Sequence, residues 1–160
     1  MTTWSKPSDE DYALFGRIIH IYSAIDFVLR YALDIMDRGG MLEAPWAGKT
    51  AKLSTYKAMK ALRSPPFWED SDKGAFDAVD HHRRTRNLVA HFLARRFPTE
   101  DAFIFMTMSA ADFEQVYGML PEADSMLYGV TDAGALRDSI PFLLELNRWC
   151  ANLPAALAKV

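Results

Sequence analysis

Residues 8–40, SDEDYALFGRIIHIYSAIDFVLRYALDIMDRGG, leave this chain few architectures to choose from. Phe15, Ile18, Tyr22, Ile25, Leu29, Leu33 and Met36 recur at the three-and-four spacing of an α-helix. Ser8 or Asp9 can cap its start, acidic residues fill its first turn, and Gly39-Gly40 ends it. The apolar stripe is broad, so the helix must pack on more than one neighbour. A second helix is expected over Ala51–Arg63, with Leu53, Tyr56, Met59 and Leu62 on one side and SPP as its stop. A third starts near Asp72 and runs to about Arg96, with Pro98 just beyond. The closing stretch 131–160 is a helix capped by Thr131 or Asp132, and Pro141 should kink it or mark its true start.

Between the third and last helices the character changes. AFIFMTM (102–108) is aromatic and β-branched enough for a strand, and SMLYGVT (125–131) is a candidate partner. A short helix, SAADFEQVYGML, separates them. The expectation is therefore a mainly α protein. Residues 1–9 form a loose arm, and 10–160 form a single helical-bundle domain with a small β-hairpin insertion at about 102–131.

The chain has 160 residues, 50% of them apolar and 24% charged, which suits one soluble globular domain. A net charge of −3 supplies no overall field toward nucleic acid, so any such attraction must come from a local patch. Cys150 is the one cysteine, which rules out an intramolecular disulfide and a cysteine-based zinc site. The opening MTTWSKPSDEDY lacks the pattern of a signal peptide, and no unbroken apolar run approaches the ~18 residues of a membrane span. A cytoplasmic protein without a membrane partner is expected.

Against that acidic background, HHRRTRNLVAHFLARR (81–96) stands out. On a helical wheel at about 100° per residue, Arg86 falls in the arc of Val79, Val89, Ala90 and Leu93, with Asn87 and His91 on the adjoining flank. On the first helix Asp26 falls within the apolar arc as well. Charges in apolar stripes are costly unless paired, so the economical expectation is that Asp26 and Arg86 meet. Such a pair is either purely architectural, or it holds the remaining guanidinium donors beside His91. Arginine offers a planar fork for phosphate and histidine can pass protons near neutral pH. Together they suffice to bind or break a phosphodiester.

RNLVAH resembles the R-N-x-x-x-H signature of the HEPN superfamily (higher eukaryotes and prokaryotes nucleotide-binding), and YSAIDFVLR is similar to its s-x-h-E-x-x-L pattern. The likeness covers most of residues 10–97 and the C-terminal helix. It implies an all-α bundle in which Arg86 and His91 match the catalytic pair and Asn87 the polar residue after the arginine. Asp26 matches a position where many members have glutamate; its shorter side chain departs from the pattern. Active members resemble metal-independent endoribonucleases that work as dimers and serve as toxins or defence effectors, while others bind nucleotides, RNA or partner proteins without cutting. The resemblance thus implies a homodimer, RNA or nucleotide as ligand, an antitoxin-like protein partner, and no cofactor or metal. In the ribonuclease version His91 serves a 2′-hydroxyl as base or orienter, Arg86 stabilises the phosphoryl charge, and Asn87 and Asp26 position them. Arg83, Arg84, Arg95 and Lys49 are candidate phosphate-binding residues. The same basic run could equally be a solvated face paired with Asp77 and Asp80.

Other signals are weaker. AGKT (47–50) imitates a phosphate loop, but Glu43 stands where the motif needs glycine and no strand precedes it. His82 and His91 fall on nearly opposite sides of the wheel, which disfavours a shared metal. Trp46, Trp68 and Trp149 read as packing anchors, and Cys150 as a packed thiol.

Overall fold

The computed structural model describes residues 3–121 and 126–160. It is mainly helical: α1 (Asp9–Arg38), α2 (Thr55–Arg63), α3 (Asp70–His91), α4 (Ala110–Tyr117) and α5 (Ala133–Leu157). Three strands, β1 (Leu93–Arg96), β2 (Ala102–Thr107) and β3 (Leu127–Asp132), form one antiparallel sheet in the order β1-β2-β3. The chain folds as two compact units, and their boundary falls inside α1, α3 and α5. One comprises the chain up to His20 with His82–Leu143; the other is Ile21–His81 with Leu144–Val160.

The second unit is helical and built on the apolar stripe of α1. Ile25, Leu29, Leu33 and Met36 are buried, as are Leu62, Phe76, Val79 and Cys150. A chain of ring contacts runs Phe67–Trp68–Phe76–Trp149. Both indoles satisfy their polar edge, Trp68 Nε1 donating to the Leu62 carbonyl at 2.7 Å and Trp149 Nε1 to Asp72 at 3.1 Å. The anchoring role expected of these tryptophans follows from that combination of ring burial and hydrogen bonding. Burial pushes the Cys150 thiol up to about 12, so it stays protonated and inert at neutral pH.

Among the described residues α1 alone is long and apolar enough, by length and composition, to cross a membrane. Its stripe is nonetheless one-sided: Ser23, Phe27 and Tyr31 are exposed opposite the buried positions, the pattern of an amphipathic packing helix.

The first unit holds the sheet. Ser8 caps α1 reciprocally: its Oγ accepts from Asp11 N at 3.2 Å and Asp11 Oδ2 accepts from Ser8 N at 2.8 Å. The stretch before Ser8 is not loose throughout, because Ser5 exchanges two backbone hydrogen bonds with Arg96 and extends the β1 edge. Phe15 packs on Phe103 and Phe105 of the central strand. The acidic start of α1 is tied to the sheet by Arg96, whose guanidinium grips Asp11 at 2.5 and 3.0 Å, reaches Asp101 at 2.5 Å and lies over the Phe103 ring.

Two sequence expectations change here. The third helix stops at His91 instead of Arg96, and the hairpin becomes a three-stranded sheet because residues 93–96 supply β1. FLARR is composed of good helix formers, but tertiary context overrides weak propensity. Pairing Arg96 opposite Phe103 covers the second edge of β2, whose residues Ala102–Met106 are all buried, and delivers Arg96 to its two carboxylates. The other elements sit close to expectation. Ser109 and the left-handed Gly118 cap α4, Asp132 caps α5 through Ala135 N, and α5 runs unbroken through position 141 instead of starting there. Ser125, where the expected second strand begins, lies outside the described residues.

Gly129 is glycine for a steric reason. A Cβ built there would meet Tyr117 Oη at 1.8 Å and Cζ at 2.4 Å. The Tyr117 ring cannot simply swing away, since it packs on Phe92 and Phe113. Gly129→Ala should therefore cost about 1–3 kcal/mol by overpacking. That cost should largely vanish in a Tyr117→Ala background, as a denaturant double-mutant cycle would show. Additive costs would refute the clash.

Candidate functional site

The basic stretch lies on the last three turns of α3 and on β1. Arg83, Arg84, Arg86, Asn87, His91 and Arg95 all belong to the unit that contains His82–Leu143. Leu88, Val89 and His82 are buried and define the inward side of this part of α3. Arg84, Ala90 and His91 are exposed, and Arg83, Arg86 and Asn87 are half-buried between the two. The wheel is thus rotated from the sequence expectation. Leu93, expected in the apolar arc, is an exposed strand residue, and Ala90 faces solvent, so Arg86 flanks the buried side instead of sitting at its centre. The reason is the early end of the helix, which removes Leu93 from the arc.

Arg86 Nη1 donates to Asn87 Oδ1 at 3.0 Å, a bond between sequence neighbours that pulls the guanidinium toward the flank carrying Asn87. Among the described residues Arg86 makes no ion pair. His91 is the last residue of α3, where the unpaired carbonyls of the final turn favour a cation. Arg95, on β1, donates from Nη1 to the neighbouring Ala94 carbonyl at 2.9 Å. The exposed Arg84 extends toward Gly118 at the end of α4, while His82 of the same run is buried. The local result is a helix end with a cationic rim and an accessible imidazole.

The pairing expected between Asp26 and Arg86 is not the one made. Asp26 accepts from Arg30 Nε at 3.0 Å and from Thr55 Oγ1 at 2.8 Å, and Arg30 continues to the Leu53 carbonyl at 2.9 Å. An arginine four residues on reaches the carboxylate from the same helix, and the first residue of α2 donates the second bond. The sequence signal for this was the D-x-x-x-R spacing in IDFVLR, which the wheel argument left unused.

Lys49 belongs to the other unit, on an exposed loop. That loop explains why AGKT is no phosphate cradle: Gly48 N donates to both Asp37 oxygens, at 2.9 and 3.2 Å, and Thr50 Oγ1 donates to Asp37 at 3.2 Å. A carboxylate already occupies the amide and hydroxyl that an incoming phosphate would need. Among the described residues no three of His, Cys, Asp and Glu come together to hold a metal ion. Comparison of the chain with models of protein families, with curated proteins and with solved structures finds no match.

Proposed function

We propose that the end of α3 is a phosphodiester site of the HEPN kind, and that the protein is a metal-independent endoribonuclease working as a homodimer. The observation that carries this reading is the grouping on one helix end: an accessible imidazole, His91, one turn from an amide, Asn87, that holds the half-buried guanidinium of Arg86. His91 takes the proton of a ribose 2′-hydroxyl. The oxygen attacks the adjacent phosphorus, the P–O5′ bond breaks, the leaving 5′-oxygen takes a proton from water, and a cyclic phosphate and a free 5′-hydroxyl result. Arg86 stabilises the charge that builds on the phosphoryl oxygens with donors that no carboxylate among the described residues has claimed. Arg83, Arg84 and Arg95 add a cationic rim for the strand. A role as toxin or defence effector, held in check by an antitoxin-like protein, fits such an activity.

One observation favours a second reading, a module that binds RNA, nucleotide or a partner without cutting. Asp26, matched to the acid that steadies the arginine, is engaged by Arg30 and Thr55, which leaves Asn87 as the support of Arg86. A single assay separates the two: incubation of the purified protein with a labelled unstructured RNA in excess chelator. Cleavage leaving cyclic-phosphate and 5′-hydroxyl ends supports the nuclease. Retention of RNA without cleavage selects the module, and neither outcome leaves only a structural role for these residues.

A further inference from the structure

The two edges of the sheet are treated differently. On the β1 side Ser5 pairs with Arg96, so the edge is partly blocked by the protein's own chain. On the β3 side no strand of the described residues pairs with the outer edge. Solvent-exposed edges of natural sheets are usually protected by lysine, proline, a bulge or a very short strand. β3 has none of these. It is six residues long, LYGVTD, pairs with β2 in unbroken register from Leu127 to Asp132, and contains no lysine, arginine or proline. The side chains along one face of it are apolar and exposed, Met126 at 52%, Tyr128 at 60% and Val130 at 55%.

We infer that β3 is the seam on which a second copy of this chain pairs, edge to edge and antiparallel, to make a continuous six-stranded sheet. A second copy is the occupant that the edge itself specifies. A strand edge related to its twin by a two-fold axis presents donors to acceptors along its whole length. In the register centred on Gly129, Tyr128 lies opposite Val130 of the second copy, an aromatic–β-branched pair of the type that stabilises antiparallel ladders. The same register sets Asp132, the strand's one charge, against the uncharged Met126, so like charges do not meet. Tyr117 fills the space over Gly129 on the opposite face of the sheet, which leaves the Tyr128–Val130 face open. The seam stands whether or not RNA is cut: a dimer that forms without any cleavage leaves it intact and fails only the nuclease reading.

The test is sedimentation velocity on the full chain from about 1 to about 100 µM, paired with amide hydrogen exchange. A dimer that grows with concentration is expected, with the Leu127–Asp132 amides more protected at the higher concentration. Tyr128→Lys with Val130→Lys places ammonium groups opposite one another twice and should weaken association by at least about tenfold. Because both side chains point outward, the circular dichroism and melting of the variant should match wild type at the low end of the range, where wild type is monomeric. A protein that is monomeric throughout the range overturns the seam. So does a dimer indifferent to the double variant, or one whose β3 amides exchange at the same rate at both concentrations.

Discussion

His91→Ala is expected to lower RNA cleavage by about 100-fold or more while leaving the fold untouched, the general range for loss of a positioned acid–base group. The separation of activity from stability is what makes the result informative. His91 is exposed at the end of α3, so truncating its side chain should shift the free energy of unfolding by less than about 0.5 kcal/mol. Arg86 gives the complementary result. Its guanidinium is half-buried and oriented by Asn87, so Arg86→Lys keeps a positive charge but loses the planar fork. Cleavage in Arg86→Lys should fall nearly as far as in Arg86→Ala, by about 100-fold for loss of a transition-state donor. Asn87→Ala should fall less, since it frees the guanidinium without removing it. The measurement is single-turnover cleavage in chelator, with thermal melts run on the same preparations. Wild-type cleavage by His91→Ala would remove the imidazole from the mechanism, and wild-type cleavage by Arg86→Lys would reduce the arginine to a point charge.

The larger structural effect belongs to Asp11. Only 5% of this residue is exposed, and its two oxygens take two bonds from Arg96 and one from Ser8 N. Asp11→Ala would strand the Arg96 guanidinium, whose side chain is 22% exposed, and remove half of the α1 cap. Breaking one side of a buried pair costs about 3–5 kcal/mol; the partial exposure of Arg96 and its second bond to Asp101 lower that to roughly 2–4 kcal/mol. The same contact makes a pH prediction. The Arg96 guanidinium holds the Asp11 carboxyl below its ordinary range, and Arg137 and Arg96 do the same for Asp101. A carboxylate with a depressed pKa contributes stability that is fully present above its unfolded value of about 3.9 and is lost as pH falls through the folded value. Urea unfolding should therefore show stability dropping below about pH 4, with a shallower drop in Asp11→Asn, which keeps the shape without the titration. An Asp11→Asn curve parallel to wild type through the acid range would refute the linkage.

What could be read from residue order was whatever depends on near neighbours. The stripe of α1 from Phe15 to Met36, the caps at Ser8 and Asp132, the stop at Gly39-Gly40 and the strand character of 102–107 all follow from interactions within about one helical turn or from alternation along a strand. The grouping of Arg86, Asn87 and His91 on one helix was legible for the same reason, although that helix was expected to run on to Arg96 and ends at His91. Partners chosen across long separations were not. Leu93–Arg96 carries helix-forming residues and becomes a strand because Phe103–Met106 pair with it and because Asp11, 85 residues away, receives Arg96. Asp26 looked in need of a distant cation, yet Arg30 pairs with it from one turn on and Thr55, 29 residues away, donates a second bond. A wheel reports which side of a helix a residue occupies. It cannot say where the helix will be cut short or which of several opposite charges arrives first, because packing of the folded chain decides both.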